Sequence, residues 1–179
     1  MFDVARIHNE TGVSSLPSAV VPIDFRSIYT VHRTGIGETA AEIRYGFEGG
    51  CPEAAAVTGS KMPYTHVIRR DGRIEQALPW TEVGPHAYAW NTRSASVGVV
   101  GDFRDHEPTA EQWDSLVWLC TVAALVVGGA DGVYGHDELG DGRRDKSKAC
   151  PGPRLEMRLL RAQVRERILR LCADGGMVW

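Results

Sequence analysis

Two side chains that can bind a metal stand in the stretch Tyr134–Pro153, YGHDELGDGRRDKSKACPGP: His136 near its start and Cys150 near its end. Neutral imidazole and thiolate are donors for a soft-to-borderline cation. Fourteen residues separate the two, too far for the tight spacing of a zinc finger and better suited to a site that closes on a distant third ligand. His32 is the candidate for that ligand. It ends the apolar run Ser27–Val31, which puts it at the C-terminal end of a strand, where α/β folds keep their sites. Taken by residue type alone, the same loop also reads as a surface segment with a capping His136 and a buried Cys150 thiol.

The elements that must position these residues follow from pattern. Ser27–Val31 is rich in β-branched and aromatic residues and predicts a strand. Glu38–Phe47 predicts a short helix with Ala40, Ala41, Ile43 and Tyr45 on one side, broken at Gly49-Gly50-Cys51-Pro52. Tyr64–Ile68 and Ile74–Leu78 flank Asp71-Gly72 and predict a hairpin, because the glycine supplies positive φ at the turn. Residues 79–94 predict a loop with Trp80, His86, Tyr88 and Trp90, which serve either as a contact surface or as buried anchors. Ser96–Val100 predicts a small-residue strand and Val133-Tyr134 a short one leading to His136. Thr109–Val127 predicts a helix opened by a capping box of Thr109 and Gln112, with Trp113, Leu116, Val117, Cys120, Ala124 and Val127 along one face and Gly128-Gly129 as its stop. Leu155–Leu171 predicts a last helix. Residues 1–25, where Pro17 and Pro22 bracket Ser18–Val21, read as an arm or edge segment with His8 at the surface. The class expected is α/β: one domain over residues 26–179, a central mixed β-sheet flanked by helices.

Composition narrows the possibilities. A chain of 179 residues with 43% hydrophobic and 24% charged content is an ordinary single globular domain. A net charge of −3 gives no reason to expect nucleic acid as a partner. The start MFDVARIHNETG has no secretory pattern, and Leu116–Val127 is shorter than the roughly 18 apolar residues a membrane span needs. Of the four cysteines, Cys120 and Cys172 sit in helical apolar patterns and read as small buried hydrophobes, while Cys51 is undecided. A reducing compartment is expected. On the last helix Arg154, Arg158, Arg161, Arg165 and Arg170 form a solvated face, or in a sharper reading a contact for an anionic cell-envelope polymer.

Five pieces of the chain stand in a familiar order: Val31-His32, PYTHVIRRDGRIEQ from Pro63, VGPHAYAWNTRSASVGVVG from Val83, Gly135-His136, and KACPG from Lys148. Over about residues 26–165 the chain resembles the type-2 zinc-dependent N-acetylmuramoyl-L-alanine amidases, which include phage lytic amidases and peptidoglycan recognition proteins. The resemblance implies that fold, one Zn2+ held by His32, His136 and Cys150, Tyr64 and Lys148 assisting the chemistry, and His86 and Asn91 lining the substrate groove. It implies hydrolysis of the amide between N-acetylmuramic acid and L-alanine in bacterial peptidoglycan. Two departures stand out. Thr65 occupies a place that commonly holds histidine, with His66 one position later on the opposite face of the strand. Gly98 stands where the cell-wall recycling branch carries a glutamate. The second departure tilts the resemblance toward the phage lytic branch: a monomeric endolysin made in the host cytoplasm and acting at the cell wall after release. The alternatives are a non-catalytic peptidoglycan-binding protein and a cytosolic recycling amidase.

Overall fold

Strand β2 (Ile28–Arg33) lies at the centre of the site-bearing part of the sheet, flanked on both edges by parallel partners. A computed structural model of the chain describes residues 7–9, 23, 26–35, 37–43, 62–140 and 149–174. Its remaining strands are β1 (Ile7–Asn9), β3 (His66–Ile68), β4 (Ile74–Gln76), β5 (Ser94–Val99) and β6 (Val133–Gly135). They form one six-stranded sheet in the order β1-β4-β3-β5-β2-β6. Only β3 and β4 run antiparallel; β1–β4, β3–β5, β5–β2 and β2–β6 are parallel, so the sheet is mixed, as expected.

The β3–β4 hairpin turns at Gly72, whose φ of 79° suits glycine. This turn abuts helix α1 (Ala110–Val127): a Cβ on Gly72 would lie 2.7 Å from the Glu111 carbonyl, and Ser115 Oγ donates to Gly72 O at 2.6 Å. α1 begins with the expected capping box, Thr109 and Gln112 each serving the other's backbone N–H. Gln112 is buried and its Nε2 also donates to Val100 O at 2.8 Å, tying the helix start to the end of β5. Gly128, at φ 84°, ends the helix in the left-handed conformation. By length and composition α1 could cross a bilayer, but it lies in the core against the sheet and helix α2 (Met157–Ala173).

Strand alternation divides the sheet into two faces. Tyr29, Val31, Ile68, Val97 and Val99 pack with Leu116, Leu119, Leu160 and Val164 of the two helices; each fully buried leucine contributes about 1.5–3 kcal/mol. Ile28, Thr30 and His32 alternate with Tyr29 and Val31 and face the other way. That opposite side carries a second cluster of Ala40, Ile43, Met62, Val67, Leu78 and Val100, with Tyr64 against it. Residues 40–43 are helical, within the expected Glu38–Phe47 segment; the rest of that segment, Cys51 and the Ser18–Val21 run lie outside the described residues.

β2 extends one residue past His32, which lies at the C-terminal end of the strand as expected. Two expectations change. Cys172 is exposed, not buried, because α2 buries Met157, Leu160 and Val164 in the core, packs Ile168 against it, and runs on into an exposed last turn. The arginines of α2 are not simply solvated: Arg161 pairs with Glu138, Arg165 with Asp131 and Arg170 with Glu166.

His66 faces the helical side, fully buried, with Nδ1 2.9 Å from Tyr29 Oη and Trp80 packed edge-on. Its Nε2 meets no hydrogen-bond partner among the described residues, and burial lowers its pKa to about 3. The unfolded chain takes up this proton near pH 6.5, the folded protein only near 3, so the unfolded state binds more protons in between and stability falls as pH drops through that window. Replacing His66 with Gln is expected to remove up to about 1.4 kcal/mol per pH unit of this slope. Urea unfolding of wild type and variant at pH 6 and 5 measures the difference; identical slopes would show that His66 does not stay neutral in the fold.

Candidate metal centre

The parallel pairing of β2 with β6 aligns Val31 with Gly135, so His136, the next residue after β6, emerges beside His32 at the carboxyl ends of the two strands. Their ring centroids lie 4.5 Å apart. Cys150 arrives from the loop before α2, with Sγ 3.6 Å from His32 Nδ1. One donor atom from each of His32, His136 and Cys150 lies within 4.8 Å of the others, a group that could hold a metal ion. His32 is buried, and the other two are half-buried.

Each segment that delivers a site residue is held by a guanidinium. Arg33 Nε donates to Ala149 O at 3.1 Å and its Nη1 pairs with Asp102 at 3.1 Å, fixing the residue before Cys150. Asp137 N donates to Cys150 O at 2.7 Å and joins the two ligand segments directly. Arg161 from α2 forms a two-point pair with Glu138 (2.7 and 2.9 Å) and donates to Val133 O at 3.1 Å, bracketing the 3-10 turn His136–Glu138. Arg26 is buried, with no carboxylate paired to it among the described residues. It donates instead to the carbonyls of Trp80, Glu82, Asn91 and Ser94 at 3.0, 2.6, 2.8 and 2.5 Å, which gathers the 79–94 loop around one cation. Desolvation lowers its pKa to about 10, so it stays charged at neutral pH.

The electrostatics of the donor set suit a cation. His32 is held well below its ordinary pKa by burial and then by the neighbouring His136 and His86, so its ring is neutral. Burial pushes the Cys150 thiol up to about 11, against an opposing pull from Arg33. Two nitrogens and one sulfur therefore meet in a buried place, and a bound cation is the charge that would turn the thiol into a thiolate.

Tyr64 stands beside His32, ring centroids 5.2 Å apart, with its hydroxyl 3.4 Å from Arg33 O. Its ring occupies the space over Gly98: a Cβ there would lie 2.5 Å from Tyr64 Cδ2 and 2.7 Å from Cε2. Gly98 is the β5 partner of His32 and faces the same way. The residue that stands between β5 and the site is thus a tyrosine ring and not a side chain of position 98. Thr65 accepts from Ser96 N through Oγ1 at 3.1 Å, while His66 points to the opposite side of the sheet. Lys148 lies outside the described residues.

His86 and Asn91, expected along a substrate groove, are both engaged with the protein. Asn91 Oδ1 accepts from the backbone N–H groups of His86 and Ala87 at 3.0 and 2.7 Å. His86 Nδ1 lies 3.1 Å from His32 Nε2, and its Nε2 lies 3.3 Å from Ser94 O and 3.0 Å from Ser94 Oγ. Of the loop aromatics, Trp80 stacks on Tyr29, Trp90 packs with Ile28, Ala87 and Leu139, and Tyr88 is exposed. Sequence reasoning did not single out Arg26 or Arg33; their partners are distant backbone carbonyls and an aspartate, which leave no local pattern.

A family model described as N-acetylmuramoyl-L-alanine amidase matches residues 26–153. Peptidoglycan-recognition protein 1 of Holotrichia diomphalia is 32% identical over 94 residues, 52% of this chain and 46% of that protein. Peptidoglycan-recognition protein 2 of the same organism is 36% identical over 52 residues, 29% and 28% of the two chains. The matches thus span less than half the length of these curated relatives. Among solved structures, the endolysin N-acetylmuramoyl-L-alanine amidase LysCS from Clostridium intestinale superposes with a TM-score of 0.73 at 20% identity, covering 92% of this chain and 98% of that one. It has the same fold.

The contact between Gly98 and Tyr64 makes a testable coupling. Gly98→Ala is expected to destabilise the protein, and Tyr64→Ala, which opens the space, to relieve much of that loss, giving an interaction energy of about 1–3 kcal/mol in a double-mutant cycle. Additive losses in urea unfolding would mean that the two residues do not share this space.

Proposed function

The chain belongs to the N-acetylmuramoyl-L-alanine amidase family, and on that footing we propose that it is a zinc-dependent hydrolase of bacterial peptidoglycan, cutting the amide that joins N-acetylmuramic acid to L-alanine. The observation that carries this reading is the convergence of His32, His136 and Cys150 on one small volume. Two imidazoles and a thiol fit zinc, and three protein donors are the complement of a catalytic site, not of a closed structural one. When bound, the ion supplies Lewis acidity toward a carbonyl and acidifies water.

The chain's own residues do the rest. Tyr64 presents a hydroxyl beside the site whose present acceptor, Arg33 O at 3.4 Å, is distant enough to yield to a substrate oxyanion. The resemblance gives Lys148, two positions before Cys150, as a second donor to the same charge. Gly98 supplies no carboxylate, which favours a lytic enzyme over a recycling one. We place the protein with the endolysins, made in the host cytoplasm and acting on glycan strands and their stem peptides at the wall. The intact Cys150 supports an enzyme over a binder that holds peptidoglycan without cutting it.

Amine release from purified sacculi tests the reading. Wild type is expected to release it, chelation to abolish release and added zinc to restore it. Cys150→Ser is expected to lose both zinc and activity. Tyr64→Phe is expected to keep its zinc while losing about 10²–10³-fold in rate, the usual effect of removing one oxyanion donor. Sacculi bound but not cut by zinc-loaded protein would assign a binding function instead. Preference for soluble muropeptides over sacculi would assign a recycling one.

A further inference from the structure

His32 has two ring nitrogens with different neighbours: Nδ1 faces Cys150 Sγ at 3.6 Å, and Nε2 faces His86 Nδ1 at 3.1 Å. We propose that His86 is a positioning residue, accepting the His32 Nε2–H at its own Nδ1 and so holding the His32 ring with Nδ1 bare toward Cys150 and His136. The inference rests on the reading of these three residues as a metal site.

The proton count supports it. A carbonyl oxygen only accepts, so the approach of His86 Nε2 to Ser94 O at 3.3 Å calls for the proton on Nε2. A neutral His86 then has none on Nδ1, and the proton between the two rings belongs to His32 Nε2. A neutral His32 has no further proton, which leaves its Nδ1 lone pair open to a cation. The reverse arrangement begins at the Ser94 hydroxyl, 3.0 Å from His86 Nε2: were it to donate there, both ring protons would flip and His32 Nδ1 would carry a hydrogen. Thr30 Oγ1 donates into that same hydroxyl at 3.3 Å. A cation at His32 Nδ1 tolerates only the first arrangement.

The support comes from the protein's own groups. Asn91 fixes the backbone of His86 and Ala87, and Arg26 fixes Asn91 and Ser94 by their carbonyls. The two imidazoles meet edge to face, at 90° with centroids 5.2 Å apart, so rotation of the His32 ring about its bond to the chain would break the contact. An outer-shell hydrogen bond of this kind orients a metal-binding histidine and sets its tautomer.

Two readouts decide the matter. In metal-free wild type, the nitrogen resonances of the His32 imidazole are expected to show the Nε2–H tautomer. In competition with a chromophoric chelator, His86→Phe is expected to bind zinc about 10–100-fold more weakly than wild type. His86→Asn, whose Oδ1 can accept where Nδ1 did, is expected to recover most of the loss. A His32 protonated on Nδ1, a Phe variant with wild-type affinity, or an Asn variant as weak as Phe would each overturn the proposal. A wild-type protein that takes up no zinc would instead overturn the reading of the metal site, and the tautomer measurement would still decide what His86 does to His32.

Discussion

Strand β2 is hydrogen-bonded in parallel along both edges, to β5 across its whole length and to β6 over Tyr29–Val31. The placement of both site histidines follows from that pairing. It sets His32 opposite Gly98 on one side and brings the end of β6, hence His136, alongside on the other. A slip of one residue would turn His32 into the helical core and Tyr29 and Val31 out of it. The apolar burial of that core face therefore also holds the face that carries His32 in register.

Strands alone deliver two histidines; the loops deliver the rest, and cations hold the loops. Arg26, Arg33 and Arg161 each reach across the chain to backbone carbonyls in the segment that carries His86, Cys150 or His136. A guanidinium suits this task because it keeps its charge when buried and offers donors in several directions. Arg161 shows how a residue of an apparently solvated helix face becomes structural: its partner Glu138 also accepts Gly135 N at 2.8 Å, so α2 stiffens the His136 turn. With Arg165 and Arg170 also paired to carboxylates, less of the charge on this face is available to an anionic polymer than the sequence suggests.

Inside this frame burial holds His32 below its ordinary pKa and pushes the Cys150 thiol up against the pull of Arg33, so a cation placed among these donors would be favoured. Tyr64 then fills the space that the glycine of β5 leaves at position 98, with its ring beside that of His32.

The sequence by itself determined what depends on near neighbours. The capping box and the apolar face of α1, the hairpin at Gly72, and the strand alternation that turns His66 away from Thr65 all arise within a few residues, where periodicity and turn chemistry act. The convergence of His32, His136 and Cys150 was anticipated through spaced motifs that resemble a family's. Only the tertiary structure decided which way His86 faces, where a buried Arg26 finds its acceptors, and that Cys172 lies beyond the edge of the core. Those outcomes depend on groups brought together from positions 54 to 68 residues apart and on where α2 runs past the sheet. Hydrogen bonds to distant carbonyls leave no periodic trace in the residues that make them.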